Sequence, residues 1–432
     1  MEEIVVKKYY YNKDDISPIF ISRQICSSKV ALDVKNIIQD VRDKGDKTLF
    51  EYREKFDKLA QDSKFILDEK DIDEIIQNSN IDKNLEKSLK KAAKKIREYH
   101  TFQIIEDHKA TVSISNGAKL GWKYVPVDKV AVYVPGGKAS YPSTVLMCAI
   151  PAQVANVKEI VMCTPNLDNP LILLAAKIAG IKKIYVMGGA HAVAALAYGT
   201  KSVEKVNMIV GPGNMYVAQA KKQIYGDVGI DMVAGPSEVL IIADETANPK
   251  FIAADMLAQA EHDENAASYL VTTNEKILLE INKYINEYAK NNSKRYEIIK
   301  KSLTNNGAFI IVNNISEAIS MSNLIAPEHL ELLISSEEIP NAIRQINNAG
   351  AIFVGPYSPE VVGDYIAGPS HCLPTSGAAK FSSVLSISTF LKRISLIEYN
   401  QDAFNGVKSD IKLLAESEGL YSHAFSAVVR EE

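Results

Sequence analysis

The sequence predicts an α/β protein built from two consecutive Rossmann-like parallel-sheet units, with a helical region before them and a small extension after them. Three observations carry this. From Lys129 onward, short β-branched runs (KVAVYV, EIVMC, KIYVM, VNMIV) alternate with Ala-rich helical stretches, the rhythm of βαβ units feeding a parallel sheet. After about residue 237 the rhythm resumes with EVLIIA, SYLVT, AFIIV and GAIFV. A chain of 432 residues also exceeds what one small core organises. No internal sequence repeat accompanies the two units, so any duplication is architectural.

Taken in order, residues 29–105 read as helical: Lys, Glu, Asp and Ile recur at helical spacing with few Gly or Pro. The helical N-terminal region, 1–127, is expected to pack on the second α/β unit. The first unit spans 128–237 and the second 238–381. After Ser382 the pattern turns irregular, and a helical stretch follows from about Ser409 to Val429. The segment 382–432 is too short for an independent core, so it docks on something, either its own chain or another subunit.

Composition excludes several classes. The net charge is −4, so no broad positive field draws nucleic acid or a membrane surface. The lysines between Lys83 and Arg97 are interleaved with acids or apolar residues, which reads as a solvated helix face. Cys26, Cys148, Cys163 and Cys372 are far apart and form no CxxC pair, against a disulfide framework or a thiolate zinc site. Cys148 and Cys163 sit in apolar context and read as small core residues. The N-terminus lacks the apolar stretch of a signal peptide, and Val145–Val157, broken by Pro151 and Gln153, is too short to span a bilayer. A soluble cytoplasmic protein is the expectation.

Three glycine loops each follow an expected strand: Tyr133-Val-Pro-Gly-Gly137, Gly188-Gly-Ala-His191 and Gly211-Pro-Gly-Asn214. In open parallel sheets, ligands bind beyond the carboxyl ends of strands, where glycines let backbone N–H groups approach a phosphate. Three such loops suit a dinucleotide. None is a G-x-G-x-x-G fingerprint, and tight strand-to-helix turns alone also explain the glycines.

The chain has seven histidines. His100 and His108 lie in the charged helical region and are expected at the surface. Besides His191, the others each accompany a carboxylate or an amide: Gln259/His262, Glu328-His329, Asp364/His371 and Glu418/His423. An expected helix from Phe251 to His262 puts Ile252, Met256 and Ala260 on an apolar stripe. Asp255, Gln259 and His262 lie on a neighbouring polar one. Gln259 and His262 offer O and N ligands from one face. Asp364 in VVGDYIAGPSH and His423 near the C-terminus extend the set. Mixed N/O ligation suits Zn²⁺, and also Mn²⁺ or Co²⁺. Glu328 and His329 follow Pro327; adjacent side chains diverge, which fits two separate proton transfers better than joint ligation. A metal-dependent hydrolase would use the same residue types without the glycine loops. A two-domain binding protein would use the paired units without the Glu-His pair.

Eight segments in order (VAVYVPGGKASYPSTVLM, GGAHAVAALAYGT, IVGPGNMYVAQAK, IDMVAGPSEVLIIAD, LAQAEHDE, NLIAPEHLEL, VGDYIAGPSHCLPT and EGLYSH) resemble the histidinol dehydrogenase family over nearly the whole length. The resemblance implies oxidation of L-histidinol to L-histidine in two NAD-dependent steps, by a homodimer with one zinc per subunit. By position it implies Gln259, His262, Asp364 and His423 as zinc ligands that also hold substrate, and Glu328 and His329 as the acid–base pair, His329 touching substrate too. It implies Ser237, His371 and Glu418 as further substrate contacts, and Tyr133, His191 and Asn214 as NAD contacts. It also implies that the C-terminal extension docks on the partner subunit, so that His423 and Glu418 complete the partner's site. The family usually carries Gln where this chain has His191. An imidazole lacks the amide's capacity to donate and accept from one end, so a pH-sensitive contact is expected there.

Overall fold

The protein is described here from a computed structural model, in which residues 3–21, 28–60, 62–104, 112–114, 117–136, 141–165, 167, 169–291 and 294–431 are described. Cys26, His108 and Gly137 of the residues singled out above lie outside them. Among the described residues the strands are β1 (Lys7–Tyr10), β2 (Ile66–Leu67), β3 (Val112–Ile114), β4 (Ala118–Pro126), β5 (Lys129–Tyr133), β6 (Glu159–Cys163), β7 (Ile184–Tyr185), β8 (Met208–Val210), β9 (Gly229–Ile230), β10 (Glu238–Ala243), β11 (Ala267–Thr272), β12 (Ala308–Ile311), β13 (His329–Leu333), β14 (Ala351–Val354) and β15 (Leu391–Tyr399).

They form two six-stranded sheets, β2-β7-β6-β5-β8-β9 and β1-β12-β11-β10-β13-β14, and a three-stranded sheet, β15-β4-β3. In the large sheets every neighbouring pair is parallel except β2 on β7. Counted from its own first strand, each unit reads 3-2-1-4-5, with an N-terminal strand added beside the third. The two units therefore share one topology, and in each the strand order reverses between the first and fourth strands, the usual place for a ligand crevice. β5, β10 and β11 are buried along their whole length, as near-continuous apolar runs must be when helices cover both faces.

The helical N-terminal region packs on the first unit, not the second. The helix Ser28–Lys44 buries Val30, Val34, Ile38 and Val41 in one stripe, in the same core as Val193 and Leu196. The helix Lys83–Thr101 brings Leu89, Ala92, Ala93 and Ile96 against the helix Pro142–Val154. The first residues reach the second unit, through β1 and the core residues Ile4, Val6 and Ile19, and the helix Lys83–Thr101 touches it where Lys95 and Tyr99 meet Gly368. Helical periodicity defines an apolar face but carries no information on which sheet it covers. His100 continues this buried stripe, fully enclosed with Nδ1 2.8 Å from Gln103 Oε1, so it is a core residue rather than a surface one.

The segment after Ser382 is less irregular than its composition implied. β15 pairs antiparallel with β4 along nine residues, Leu391 opposite Pro126 through to Tyr399 opposite Ala118. The expected C-terminal helix is two, Lys408–Ser417 and Tyr421–Val428, broken at Gly419, whose φ of +74° lies in the left-handed region. The two pack on each other and leave Leu413, Leu414, Tyr421 and Phe425 largely exposed. Among the described residues no helix is long and apolar enough to cross a membrane.

Candidate functional site

Two groups of side chains emerge, at opposite strand ends of the two units. In the first unit, Tyr133 ends β5, and His191 and Asn214 follow β7 and β8. All three line a cleft of about 1100 Å³ at the carboxyl ends of the strands, walled also by Tyr52, Phe56 and Asp57 of the N-terminal region. Gly211, with φ +110°, lies so close to the Tyr133 carbonyl oxygen that any Cβ would collide with it. Several backbone donors here are already engaged. Gly188 N donates to Asp57 Oδ2 (2.9 Å), Gly189 N donates to Tyr133 Oη (2.9 Å), and Asn214 caps its helix by accepting from Tyr216 N and Val217 N. The Tyr133 hydroxyl is buried, which holds its pKa far above the usual phenol value.

The second group gathers at the amino ends of the second sheet. His329 is the first residue of β13 and Glu238 the first of β10; the helix Pro249–Ala260 carries Gln259, and His262 follows two residues beyond its end. Glu328 and His329 are both buried, 6% and 5% exposed. Glu328 Oε2 accepts from Glu238 N at 2.9 Å. His329 Nδ1 is 3.2 Å from the Glu238 carbonyl oxygen, which only accepts, so the ring proton sits on Nδ1 and Nε2 is left as the basic nitrogen. That Nε2 lies 3.9 Å from Asp364 Oδ1. Asp364 in turn presents its backbone oxygen to His371 Nδ1 at 3.1 Å, and His371 Nε2 meets Thr144 Oγ1 of the first unit at 3.2 Å.

Burial governs the protonation of this group. It pushes the Glu328 carboxyl well above its ordinary value, reinforced by the acids Glu238, Asp364 and Cys372. It pushes His329 down, against the opposing pull of Asp364, so the imidazole stays neutral around pH 7. His371 is lowered by the same cause.

Of the residues singled out from sequence, Glu328, His329, Asp364, His371 and His262 converge: His262 lies near enough to both His329 and His371 to disfavour their charging. Gln259, on the helix Pro249–Ala260, is 1% exposed, and its amide nitrogen has no hydrogen-bond partner among the described residues. Ser237 immediately precedes β10. Glu418 and His423 are exposed, at the end of the helix Lys408–Ser417 and within the helix Tyr421–Val428. Among the described residues no three His, Cys, Asp or Glu side chains converge at metal-ligating distance. Sequence reasoning missed Asp57, Thr144, Glu238, Glu331 and Glu360. Asp57 meets His191 from 134 positions away, a separation no motif spans. Glu331 and Glu360 are 1% exposed beneath His329, Glu360 Oε2 lying 3.8 Å from His329 Nδ1; their partly apolar context gave no sign of this.

A parallel sheet carrying a dinucleotide-sized cleft in the first unit, and a buried carboxyl–imidazole pair in the second, fit the class of NAD-dependent oxidoreductases. Residues 22–431 match the family described as histidinol dehydrogenase, and the chain belongs to that family. It is 47% identical over 412 residues to the histidinol dehydrogenase of Clostridium acetobutylicum, covering 94% of this chain and 93% of the relative. It is 45% identical to that of Bacillus thuringiensis, covering 99% of each. The crystal structure of histidinol dehydrogenase from Elizabethkingia anophelis superposes with a TM-score of 0.91 at 35% identity, over 100% of this chain and 99% of that one.

Proposed function

We propose that the chain is a cytoplasmic, zinc-dependent homodimer that oxidises L-histidinol through L-histidinal to L-histidine with two NAD, closing histidine biosynthesis. The observation that carries this reading is the neutral His329, its basic Nε2 turned toward Asp364 and the buried Glu328 carboxyl beside it.

The residues fit the two groups the reaction needs. The cleft lined by Tyr133, His191 and Asn214 has the volume for a dinucleotide. Gln259 holds a buried amide with an unpartnered nitrogen, an arrangement that costs about 1–3 kcal/mol unless the amide turns its oxygen to a ligand. With His262, Asp364 and a His423 supplied by a second copy, it makes a mixed N/O set of four, the number zinc prefers. When bound, NAD supplies the hydride acceptor and zinc an electropositive grip that orients the substrate's nitrogens.

His329 Nε2 takes the hydroxyl proton in the first oxidation. Glu328, a stronger base for its raised pKa, takes a proton from the water that adds to the aldehyde, and His329 again accepts in the second oxidation. Ser237, His371 and Glu418 of the second copy hold the substrate's polar groups. His371 reaches substrate once the Thr144 hydroxyl lets go of its Nε2. The exposed apolar residues of the C-terminal helices, Leu413, Tyr421 and Phe425, support docking of this extension on another subunit.

The test is direct: histidinol added to metal-replete protein and NAD, with absorbance followed at the reduced nicotinamide band. About two NADH per histidinol is the expected yield. No absorbance change overturns the reading.

A further inference from the structure

The wall of the cleft that the N-terminal region supplies is built around one buried acid. The helix Asp46–Tyr52 runs into a π-helical turn, Arg53–Asp57, a geometry that is rare and frequent at functional sites. That turn sets Tyr52, Phe56 and Asp57 along the cleft opposite Gly189, Ala190 and His191. The Asp57 side chain is 6% exposed. Its Oδ2 accepts from Gly188 N at 2.9 Å and lies 3.0 Å from His191 Nε2, so a single oxygen carries both contacts. Oδ1 has no hydrogen-bond partner among the described residues. A carboxylate has about four acceptor positions, and half of these remain open.

Resting on the reading of this cleft as the NAD site, we propose that Asp57 is its specificity-determining residue: it accepts a hydrogen bond from the adenosine ribose 2′-hydroxyl and excludes dinucleotides that carry a 2′-phosphate. In open α/β sheets an acid selects the free hydroxyl, whereas an arginine accommodates the phosphate. The nearby arginine is unable to play that part. Arg53 is fully buried, its Nε donating to Val186 O and its terminal nitrogens to Ala60 O, Ser63 O, Ser63 Oγ and Lys64 O. All five donors are used, and none is left for a phosphate. Lys55 and Lys58 also line the cleft, but they are exposed and suit the diphosphate that both dinucleotides share. His191 is thereby a holder of Asp57: its Nε2 is committed to the carboxylate instead of the cofactor, which gives the histidine at the family's usual Gln position a defined task.

The experiment is equilibrium binding by titration calorimetry on full-length, metal-replete protein without histidinol. Native protein is expected to bind NAD at least about tenfold more tightly than NADP, the scale of one charged hydrogen bond. Asp57→Asn is expected to bring the two affinities to within about threefold, chiefly by gaining NADP. Asp33→Asn, half-buried on the same cleft, is expected to keep the native preference. An unchanged preference in Asp57→Asn, or an equal change in Asp33→Asn, overturns the assignment. Should Asp57→Asn fail to fold, the native protein decides alone: 5′-AMP displaces NAD and adenosine 2′,5′-bisphosphate does not, and equal displacement by both overturns the proposal. If native protein binds neither dinucleotide, the cofactor reading of the cleft fails and this proposal with it. If it binds both equally, that reading stands and only the role of Asp57 falls.

Discussion

His371 Nε2 lies 3.2 Å from Thr144 Oγ1, so a residue of the second unit is tied to the first at the edge of the His329 cluster. Two further contacts run along the same seam: Cys148 Sγ is 3.4 Å from Cys372 Sγ, and Gly235 N donates to Thr375 Oγ1 at 2.5 Å. The partners in the first two pairs are more than two hundred positions apart. Because Asp364 is held by the same His371, the seam positions both a proposed ligand and, through it, the basic face of His329.

His329→Asn removes the base while keeping a donor toward the Glu238 carbonyl. Both oxidations are expected to slow by ~10²–10⁴-fold with the melting temperature little changed. Stopped-flow NADH formation from histidinol and from histidinal, measured separately, checks this; native rates for either step refute the assignment. The pH profile follows from the lowered pKa: the neutral imidazole persists to lower pH than an ordinary histidine, so the acid limb of the rate lies below about pH 6.5.

Glu328→Gln keeps the acceptor for Glu238 N and loses the base. Aldehyde oxidation is expected to fall at least about tenfold further than alcohol oxidation, with histidinal accumulating in a quenched-flow assay. Equal loss of both steps contradicts a role in activating water.

His423→Ala and His329→Ala subunits, each inactive alone, are expected to regain activity when mixed and refolded. If the extension crosses, a mixed dimer puts both defects in one site and leaves the other intact, for up to about a quarter of native activity in an equal mixture after random pairing. Gel filtration with light scattering should show a dimer, and Phe425→Asp should shift it toward monomer. No recovery on mixing argues that each chain completes its own site.

Glu331 carries a stability signature. Its carboxyl shares a hydrogen bond with Asp255; burial, then the negative charge of Asp255, pushes it from 4.5 to about 9. The folded pKa lies above the unfolded one, so the protonated form is favoured by folding. Its contribution is complete below about pH 4.5 and is lost as pH rises toward 9. While the proton is held, unfolding free energy should fall by up to roughly 1.4 kcal/mol per pH unit from this group. Urea titrations between pH 5 and 9 should show that slope in native protein and a flatter one in Glu331→Gln. Parallel slopes would mean that Glu331 is ionised in the fold.

Several parts of this were legible in one dimension. The runs KVAVYV and EVLIIA became β5 and β10, because a strand covered on both faces must be apolar at every position. Glu328-His329 stood out because an acid and an imidazole next to a proline are scarce in apolar surroundings. β15 escaped notice since LKRISLIEY is half charged or polar and almost wholly exposed, paired through its backbone to β4. The break at Gly419 escaped because the residues on both sides are ordinary helix formers.

What the amino-acid order determined by itself is the alternation of strand and helix, the glycine turns after β5, β7 and β8, and the residue types able to move protons or hold a metal. Those depend on local periodicity and on the chemistry of single side chains. Only the tertiary structure decided which sheet the N-terminal helices cover, that Glu328 and His329 sit at the amino ends of the second sheet, and that Asp57 meets His191 across the cleft. These are contacts between positions far apart in the chain. They form because apolar faces must be buried and buried charges must find partners, and which partner each one finds is settled by the packing of the whole molecule.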